Sequence, residues 1–536
     1  MPAQKTVGAL RATAHTHRTV KAEIRDNLVA TMRAGQPRFP GMVGFADTVL
    51  PQLERALLAG HDLVLLGERG QGKTRLMRTL PQLLDEWTPV VEGCEINDHP
   101  YAPTCTRCRR LAAEAGDDLP IAWWHREQRY GEKLATPDTS VGDLVGDIDP
   151  VRIAEGRTLG DPETVHYGLV PRTNRGIFAL NELPDLAERI QVGLFNVLEE
   201  RDIQIRGYAL RLPLDLILVA SANPEDYTNR GRIITPLKDR FGAEIRTHYP
   251  VEPEQEAALI AAEAEPAADV PTHLLEVLAR LVRALRESPS IDQRSGVSAR
   301  FGIAAAEAAA AGALRRAAVN AADTSATDTA GGQRPVARIG DLAGVLPTLR
   351  GKVEFEMGEE EREDEVVTHL LRVATAQTFT ERLRGVDLSG FTTPFARGET
   401  VQIDDLTPPS DLLSQLGTVP GLARVLDRLG YTETPSPGEA AAAVEFVLEG
   451  LFLSRRIAKD ALDGQVVYGA ERATTGSGSD PDGRLSAGRP ERYADQAPDD
   501  GGESFGDGFE DDFDDGFGGP GGLGGFDPYG GGPDGR

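Results

Sequence analysis

Three short and almost wholly apolar runs stand out in the first half of the chain, at residues 62–67 (DLVLLG), 177–180 (IFAL) and 214–223 (LDLILVASAN). Runs of this length that lack a polar face are typical of buried parallel strands, because helices cover both faces of a parallel sheet. The pattern therefore predicts an α/β core with a parallel sheet flanked by helices.

Outside these runs, hydrophobic residues recur every three to four positions, as they do on one face of a helix. This spacing is found at residues 18–33, 53–58, 252–264, 271–287 and 298–320, and over most of 340–470. An acidic run within the last stretch, EEEREDE at 359–365, fits a solvated helix face. The chain is too long for a single core. The predicted parts are an N-terminal helical segment (1–37), an α/β core (38–250) with an irregular cysteine-containing insert (90–135), an all-helical domain (251–350), a mainly helical C-terminal region (351–475) and a tail (476–536).

The tail differs sharply in composition from the rest of the chain. It holds 15 Asp and Glu residues against 4 Arg, among glycines and isolated aromatic residues. Too little apolar surface can be buried there to offset the entropy of ordering, so we expect a disordered, acidic, Gly-rich tail. Its phenylalanines recur every four residues, which favours docking on a partner over a purely solubilising role. They are Phe505, Phe509, Phe513 and Phe517.

Charge and cysteine content limit the class of protein. The formal net charge of the 536 residues is −27, which argues against sequence-independent nucleic-acid binding, since phosphate contacts need Lys and Arg. Three cysteines are too few for a disulfide framework and suit a reducing compartment. The N-terminal residues contain no long apolar segment. We therefore expect a cytoplasmic protein without a signal peptide or membrane span.

The first apolar run leads into GERGQGKT at residues 67–74, which fits G-x-x-x-x-G-K-[ST] at every fixed position. In such a bend between strand and helix, successive backbone N–H groups and the helix N-terminus face phosphate oxygens. Lys73 is expected to reach the β- and γ-phosphates, and the Thr74 hydroxyl to coordinate magnesium. A chance match is the alternative, and the flanking strand and helix argue against it. The predicted ATP and Mg²⁺ site comprises Gly67, Glu68, Arg69, Gly70, Gln71, Gly72, Lys73 and Thr74.

Four further residues follow in the order that a ring-forming ATPase requires. Glu182, after the second apolar run, is the candidate base for the attacking water, and Asn223, after the third, can orient that water. Arg240 in TPLKDRFG is placed to act on a neighbouring subunit's nucleotide, and Arg300 in SGVSARFG to contact the γ-phosphate. An arginine at a helix start is more often a surface residue, so this prediction depends on the set and not on any one member.

Together these motifs resemble the AAA+ ATPases of the magnesium chelatase I-subunit and MoxR group. The matching pieces are FPGMVGFADTV, GERGQGKT, GLVPRTNRGIFALNELPDL, ASANPEDY and LKDRFG, and TSVGDLVGDIDPVRIAEG looks like this group's helix-containing insert. The resemblance covers about residues 38–310. It implies a P-loop AAA+ core with an all-helical lid, hexameric rings with ATP at the subunit interfaces, and a partner that carries a von Willebrand A domain.

The resemblance also assigns roles to single residues. It makes Glu182 the acidic hydrolysis residue, Asn223 the first sensor, Arg240 the arginine finger and Arg300 the second sensor. Val43 and Gly44 match the segment that borders the adenine. The implied function is a ring motor that hydrolyses ATP and either remodels a client protein or assists the insertion of a metal cofactor.

Asn181 departs from the family pattern, because nucleotide-hydrolysing proteins of this kind carry an Asp there, which contacts magnesium through a water. An amide oxygen still accepts a hydrogen bond from that water but adds no negative charge. We expect weaker magnesium retention and slower turnover, with nucleotide binding preserved. The alternative is a nucleotide-binding switch or scaffold with little hydrolysis. A third class, the enhancer-binding transcription activators of the AAA+ group, carries a GAFTGA-type loop that this sequence lacks.

The cysteines are a second departure. Cys105 and Cys108 have the C-x-x-C spacing of a metal knuckle, and Cys94 lies eleven positions before Cys105. A closed zinc site has four ligands, so the fourth would have to be His99 or His125. Alternatively, the three thiols pack as small hydrophobic groups. The sequence leaves both interpretations open.

Overall fold

The computed structural model describes residues 1–148, 151, 154, 164–199, 212–224, 232–292, 296–323, 334–358, 362–431, 434–462 and 465–470. The tail predicted at 476–536 lies outside the described residues, as do parts of the acidic run at 359–365 and of the family insert at 139–156. Of the helices within the described ranges, none combines the length and the apolar character that crossing a membrane requires.

A five-stranded sheet forms the centre of the N-terminal half, and all of its strands are parallel. The strands of the described chain are β1 (Leu63–Leu66), β2 (Trp87–Val91), β3 (Ile121–His125), β4 (Tyr130–Leu134), β5 (Gly146–Ile148), β6 (Val165–Tyr167), β7 (Gly176–Asn181), β8 (Leu216–Ala222), β9 (Ala243–Arg246), β10 (Val401–Ile403), β11 (Ala458–Leu462) and β12 (Gln465–Gly469). The central sheet has the order β4-β7-β8-β1-β9. The three apolar runs are its inner strands β7, β8 and β1, which confirms the predicted parallel core.

Helices follow the strands and then take over the chain. The described α-helices are α1 (Val7–Arg11), α2 (Val20–Arg33), α3 (Val49–Ala59), α4 (Lys73–Thr79), α5 (Thr106–Ala115), α6 (Val141–Leu144), α7 (Leu169–Arg172), α8 (Glu188–Glu199), α9 (Thr235–Arg240), α10 (Pro253–Glu263), α11 (Thr272–Glu287), α12 (Ala299–Asp323), α13 (Ile339–Val345), α14 (Glu363–Arg382), α15 (Ser389–Ala396), α16 (Pro409–Leu416), α17 (Leu422–Arg428) and α18 (Pro437–Leu453). Helix α4 gives way to a 3₁₀ turn at Leu80–Leu83, since Pro81 cannot donate an α-helical hydrogen bond.

Side chains of the inner strands alternate between two hydrophobic layers. Val64 and Phe178 point into one layer with α8, whereas Leu65 and Ile177 point into the other. That second layer also contains Leu53 of α3 and Leu76 of α4. Each inner strand is therefore buried on both faces, and the loops after β1, β7 and β8 meet at one edge of the sheet, where ligands of open α/β sheets bind.

The cysteine-containing insert is more regular than the sequence indicated. Strands β2 and β3 form an antiparallel pair, and α5 lies in the segment that connects them. The predicted irregular stretch at 90–135 ends in β4, which belongs to the central sheet. Val7 and Leu10 of α1 pack on this insert together with Cys105 and Cys108. The prediction of an irregular insert was wrong: WTPVV and IAWWH are paired strands, although Pro89 in the first argues against a strand and about thirty residues separate the two.

One hydrophobic cluster extends through the helical half of the chain, from Ile260 to Tyr468. It joins helices of the predicted 251–350 domain to those of the predicted 351–475 region. Helices α10 to α12 match the predicted stretches closely, whereas the small sheet β10-β12-β11 was not predicted. The division of this half into two domains stays a prediction.

Candidate functional site

The glycine bend after β1 adopts a conformation that requires glycine. Gly70 and Gly72 have φ angles of 79° and 74°, in the left-handed region that L side chains rarely adopt. A Cβ atom on Gly70 would lie 2.2 Å from the Oγ atom of Ser298. The bend is thus tightly packed against the residues that precede α12, and its backbone N–H groups lie at the N-terminus of α4.

Two residues after β9 hold the bend in shape. The Gln71 side-chain oxygen accepts hydrogen bonds from the Glu68 N–H (3.0 Å) and the Thr247 hydroxyl (2.9 Å). The Tyr249 hydroxyl donates to the Arg69 carbonyl oxygen (2.7 Å). Thr247 and Tyr249 were not among the predicted site residues, since no local motif marks the residues that follow an edge strand.

Lys73 and Thr74 begin α4 at the open side of the bend. The Lys73 ammonium donates to the carbonyl oxygens of Gly67 and Glu68, at 2.7 Å from the latter. The Thr74 hydroxyl donates to Oδ1 of Asn181 (3.1 Å). The predicted phosphate-binding lysine and magnesium ligand therefore adjoin the end of β7, as the motif order requires.

Asn181 lies within a hydrogen-bond network that joins β4, β7, β8 and α4. Its Oδ1 also accepts from the Ser221 hydroxyl (3.2 Å), and its Nδ2 donates to Oε1 of Glu132 (2.8 Å). Glu132 is on β4, which pairs with β7. Its two carboxylate oxygens accept from Nε and Nη2 of Arg78 (2.9 and 2.8 Å), and this hydrogen bonding holds the pKa of Glu132 below its usual range. The Glu132 carboxylate thus accepts a hydrogen bond from the Asn181 amide, which stands where the expected Asp would be.

Glu182 has a left-handed backbone, with φ 56° and ψ 48°. Few residues other than glycine adopt this conformation, and those that do cluster at functional sites. The Glu182 N–H donates to the Ser221 hydroxyl (3.2 Å), so Ser221 contacts both residues of the predicted hydrolysis motif. The turn places Glu182 on the wall of the cavity beside the glycine bend.

This cavity has a volume of about 610 Å³ and brings most of the predicted site together. Its walls include the predicted residues Val43, Arg69, Gly70, Gln71, Gly72, Lys73, Thr74, Glu182, Asn223 and Arg300. Gly44, Gly67, Glu68 and Asn181 adjoin the same loops without lining it. Phe45 and His248 close one side, with ring centroids 5.3 Å apart and edge to face. This mixed apolar and polar wall beside a phosphate loop suits a nucleotide.

Arg240 does not line this cavity in the part of the chain that the structure describes. It is the last residue of α9, and its guanidinium contacts Asp239 (3.0 Å).

The three cysteines meet in the insert, with a different fourth residue from the ones expected. Their sulfur atoms and a carboxylate oxygen of Asp98 all lie within 4.8 Å of one another. The His99 ring instead lies 4.3 Å from that of His17, and His125 packs on Trp87. The expected fourth ligands, His99 and His125, are not part of this cluster, whose fourth member is Asp98.

Comparisons with known proteins place these observations in context. No protein-family model matches the chain. The chain is 28% identical over 215 residues to the magnesium-chelatase subunit ChlI of Anabaena variabilis, a match that covers 40% of this chain and 60% of that protein. It is 29% identical over 212 residues to the magnesium-chelatase 38 kDa subunit of Acidiphilium rubrum, covering 37% and 54%. The chain thus spans little more than half the length of these curated relatives.

Among solved structures, one chain from the complex between subunits BchI and BchD of magnesium chelatase is similar to this protein. The match covers 61% of this chain and 98% of the matched chain. The sequence identity is 22% and the TM-score is 0.31.

Proposed function

We propose that this chain, an AAA+ protein related to the magnesium-chelatase I subunits, binds ATP with Mg²⁺ and hydrolyses it. The observation that carries the proposal is the convergence on one cavity of residues from three strand ends. Lys73 and Thr74 follow β1, Glu182 follows β7 and Asn223 follows β8, while Arg300 faces them from α12. The glycine bend suits phosphate because its backbone N–H groups and the N-terminus of α4 lie together.

In this proposal, different residues of the cavity bind the phosphates, accept the proton of water and orient that water. Bound ATP with Mg²⁺ would supply an electrophilic γ-phosphorus and a partial neutralisation of the negative charge on the phosphate oxygens. As water bonds to this phosphorus, its bond to the bridging oxygen of ADP breaks and ADP leaves. Lys73 and the bend at 67–74 hold phosphate oxygens. Glu182 accepts the proton of the attacking water, which Asn223 orients. Arg300, at the start of α12, adds positive charge and couples the helical lid to the nucleotide.

Two substitutions test this proposal on the full chain. Lys73→Ala should weaken the affinity for a fluorescent ATP analogue at least tenfold, because one charge-assisted contact to phosphate is lost. Glu182→Gln should keep that affinity within about twofold but slow phosphate release about a hundredfold or more. Lys5→Ala, at an exposed position of the N-terminal segment, is the matched control. Unchanged affinity in Lys73→Ala, or equal turnover in wild type and Glu182→Gln, would overturn the proposal.

A nucleotide-binding switch is the second candidate, and the observation that favours it is Asn181. It predicts the same binding results as the motor. It differs in wild-type turnover, since phosphate release by a switch would stay at the level of Glu182→Gln. Comparing these two proteins at saturating Mg²⁺ therefore separates the candidates.

We also propose that the protein works as a homo-oligomeric ring, a hexamer by family resemblance. The ring would remodel a client protein or assist metal-cofactor insertion together with a protein that carries a von Willebrand A domain. The position of Arg240 outside its own subunit's cavity supports action on a neighbouring subunit. Neither a nucleic acid nor a membrane is among the proposed partners.

A further inference from the structure

The insert between β2 and β3 holds a cluster of ligand-type side chains that ATP hydrolysis does not use. The sulfur atoms of Cys94, Cys105 and Cys108 and a carboxylate oxygen of Asp98 lie within 4.8 Å of one another. In a tetrahedral site with Zn–S bonds of about 2.3 Å, sulfur ligands are about 3.8 Å apart. Small side-chain rotations therefore bring the cluster onto one ion. We propose that Cys94, Asp98, Cys105 and Cys108 form a structural zinc site.

Backbone N–H groups face two of the three thiols, Cys94 and Cys105, and favour their metal-binding form, the thiolate. Cys105 is the N-cap of α5, and its sulfur accepts a hydrogen bond from the Cys108 N–H (3.3 Å). The Cys94 sulfur accepts from the Asp98 N–H (3.3 Å). Both bonds, with the partial positive charge at the start of α5, stabilise negative charge on sulfur. The sulfur atoms of the C-x-x-C motif and of Cys94 are thus held close together by the backbone.

Asp98 is oriented as metal-binding carboxylates are, by hydrogen bonds from neighbouring groups. One of its oxygens accepts from the Cys105 N–H (2.8 Å) and the other from the Thr104 hydroxyl. Each carboxylate oxygen retains a further lone pair for an ion. A zinc ion would also explain why a carboxylate that is only 1% exposed lies beside three thiols, since buried charges in proteins are paired or bind metals.

Four protein side chains would fill the tetrahedral coordination of zinc, which assigns the site a structural role, although Cys94 itself is only partly buried. Cys108 is fully buried and Cys105 is nearly so, whereas catalytic zinc sites keep one position open to water or substrate. The loop that carries Cys94 and Asp98 is tied to the segment before β7, because Asn97 donates to the Arg172 carbonyl (2.6 Å) and Asn174 to the Ile96 carbonyl (2.9 Å). Zinc would join α5 to the loop that carries Cys94 and Asp98, and the two hydrogen bonds join that loop to the segment that leads into β7.

The full-length protein, purified under reducing conditions without chelator, tests this proposal by metal analysis. We expect about one zinc ion per chain, and exchange for Co²⁺ should give the thiolate charge-transfer and tetrahedral d–d absorption of a sulfur-rich site. Cys108→Ser and Asp98→Ala should each lower the zinc content below about a third of the wild-type value. His125→Ala, in the same insert but outside the cluster, is the control and should retain zinc.

Two further measurements separate loss of a ligand from loss of the fold. Asp98→Cys, which supplies a fourth thiolate, should restore full zinc content. In wild type stripped of metal, added zinc should raise the melting temperature, since an ion that binds only the folded state stabilises it. The proposal is overturned if wild type holds less than about half an equivalent of zinc and gives no Co²⁺ spectrum. It is equally overturned if Cys108→Ser and Asp98→Ala bind as much zinc as wild type, or if Cys105 and Cys108 are found as a disulfide in metal-free protein.

Discussion

Asn181 illustrates how a neighbouring strand changes the chemistry of a single residue. Its amide accepts from Thr74 and Ser221 on one side and donates to Glu132 on the other. An aspartate in its place could not make the last bond, and would set two carboxylates about 2.8 Å apart. Because like charges this close cannot both ionise, the Asn at 181 and the Glu at 132 are matched to each other.

This pairing predicts that exchanging the two groups is better tolerated than changing one. From the sequence alone, Asn181→Asp is expected to release phosphate as fast as wild type or faster. Beside Glu132, Asn181→Asp alone should instead slow phosphate release or raise the Mg²⁺ concentration needed for it. Asn181→Asp with Glu132→Gln restores a donor and an acceptor, and should be about tenfold faster than the single variant, equivalent to one pKa unit of relieved repulsion. Steady-state phosphate release across a Mg²⁺ series measures both. A single variant as fast as the double one would show that the two side chains are not coupled.

Glu132 could not have been found from sequence, whereas Lys73, Thr74 and Glu182 could. The latter belong to contiguous motifs, in which spacing along the chain fixes the position in space. Glu132 reaches Asn181 only because β4 pairs with β7 in a register that sets Leu134 opposite Asn181. Strand register depends on tertiary packing, and no local pattern around Glu132 records it.

His273 in α11 gives the stability of the helical half a predictable pH dependence. The side chain is buried against Phe446 and Tyr431, and neither ring nitrogen has a hydrogen-bond partner within the described part of the chain. Burial, with a smaller effect of Arg382, lowers its pKa to about 3. The folded state therefore keeps the ring neutral, while the unfolded chain takes up a proton below pH of about 6.5.

The sign of the effect follows from proton uptake. Stability is retained above the unfolded pKa and lost as the pH falls from about 6.5 towards 3, because only the unfolded state binds the proton there. From pH 7.5 to 5.5, this residue should cost about 1.4 kcal/mol of unfolding free energy. Urea unfolding at pH 7.5 and 5.5 measures the free energy of unfolding at each pH. The difference between the two values should be smaller for His273→Leu than for wild type by about 1.4 kcal/mol. An identical pH dependence in both proteins would contradict this account.

At the scale of elements, only the fully buried strands of the central sheet could be identified from the sequence. The three strands found as apolar runs, β7, β8 and β1, are the inner strands of the sheet and are buried throughout. The two that were missed, β4 and β9, are its edges and read YGEKL and AEIR. An edge strand is covered on fewer sides and tolerates charge, so its sequence lacks the signal that identified the others.

The glycine bend and the start of α12 form a packed pair whose contact can be tested. Gly70→Ala places a Cβ atom 2.2 Å from the Ser298 Oγ and imposes a left-handed φ on an L residue. Gly35→Ala imposes the same kind of φ where nothing lies within 4 Å. Both should lose about 1–2 kcal/mol of stability from backbone strain. Only Gly70→Ala should also weaken affinity for the ATP analogue, by about tenfold or more, because it displaces the bend itself. Equal affinities in the two variants would show that the contact with Ser298 does not shape the site.

At the scale of the whole molecule, the proposed ring would supply the one predicted catalytic residue, Arg240, that does not line the cavity among the described residues. Arg240 ends α9 beside Asp239 and does not line the cavity within the described residues. In a head-to-tail ring, every subunit presents one face to a neighbour's opposite face. An arginine from the next subunit can then reach the nucleotide, and catalysis becomes a property of the interface.

Mixing inactive subunits tests this arrangement directly. Lys73→Ala and Arg240→Ala should each be inactive alone, the first because its own site is empty and the second because its neighbour lacks a finger. In a one-to-one mixture, about a quarter of the interfaces in a randomly assembled ring pair an intact site with an intact finger, and phosphate release should recover to about that fraction of the wild-type rate. Lys73→Ala mixed with Glu182→Gln is the matched control, since both changes lie in the same half of the interface and no pairing restores a complete site. Recovery in neither mixture would place the action of Arg240 within its own subunit and remove this reason for a ring. Recovery in both mixtures would contradict the assignment of Lys73 and Glu182 to the same half of the interface.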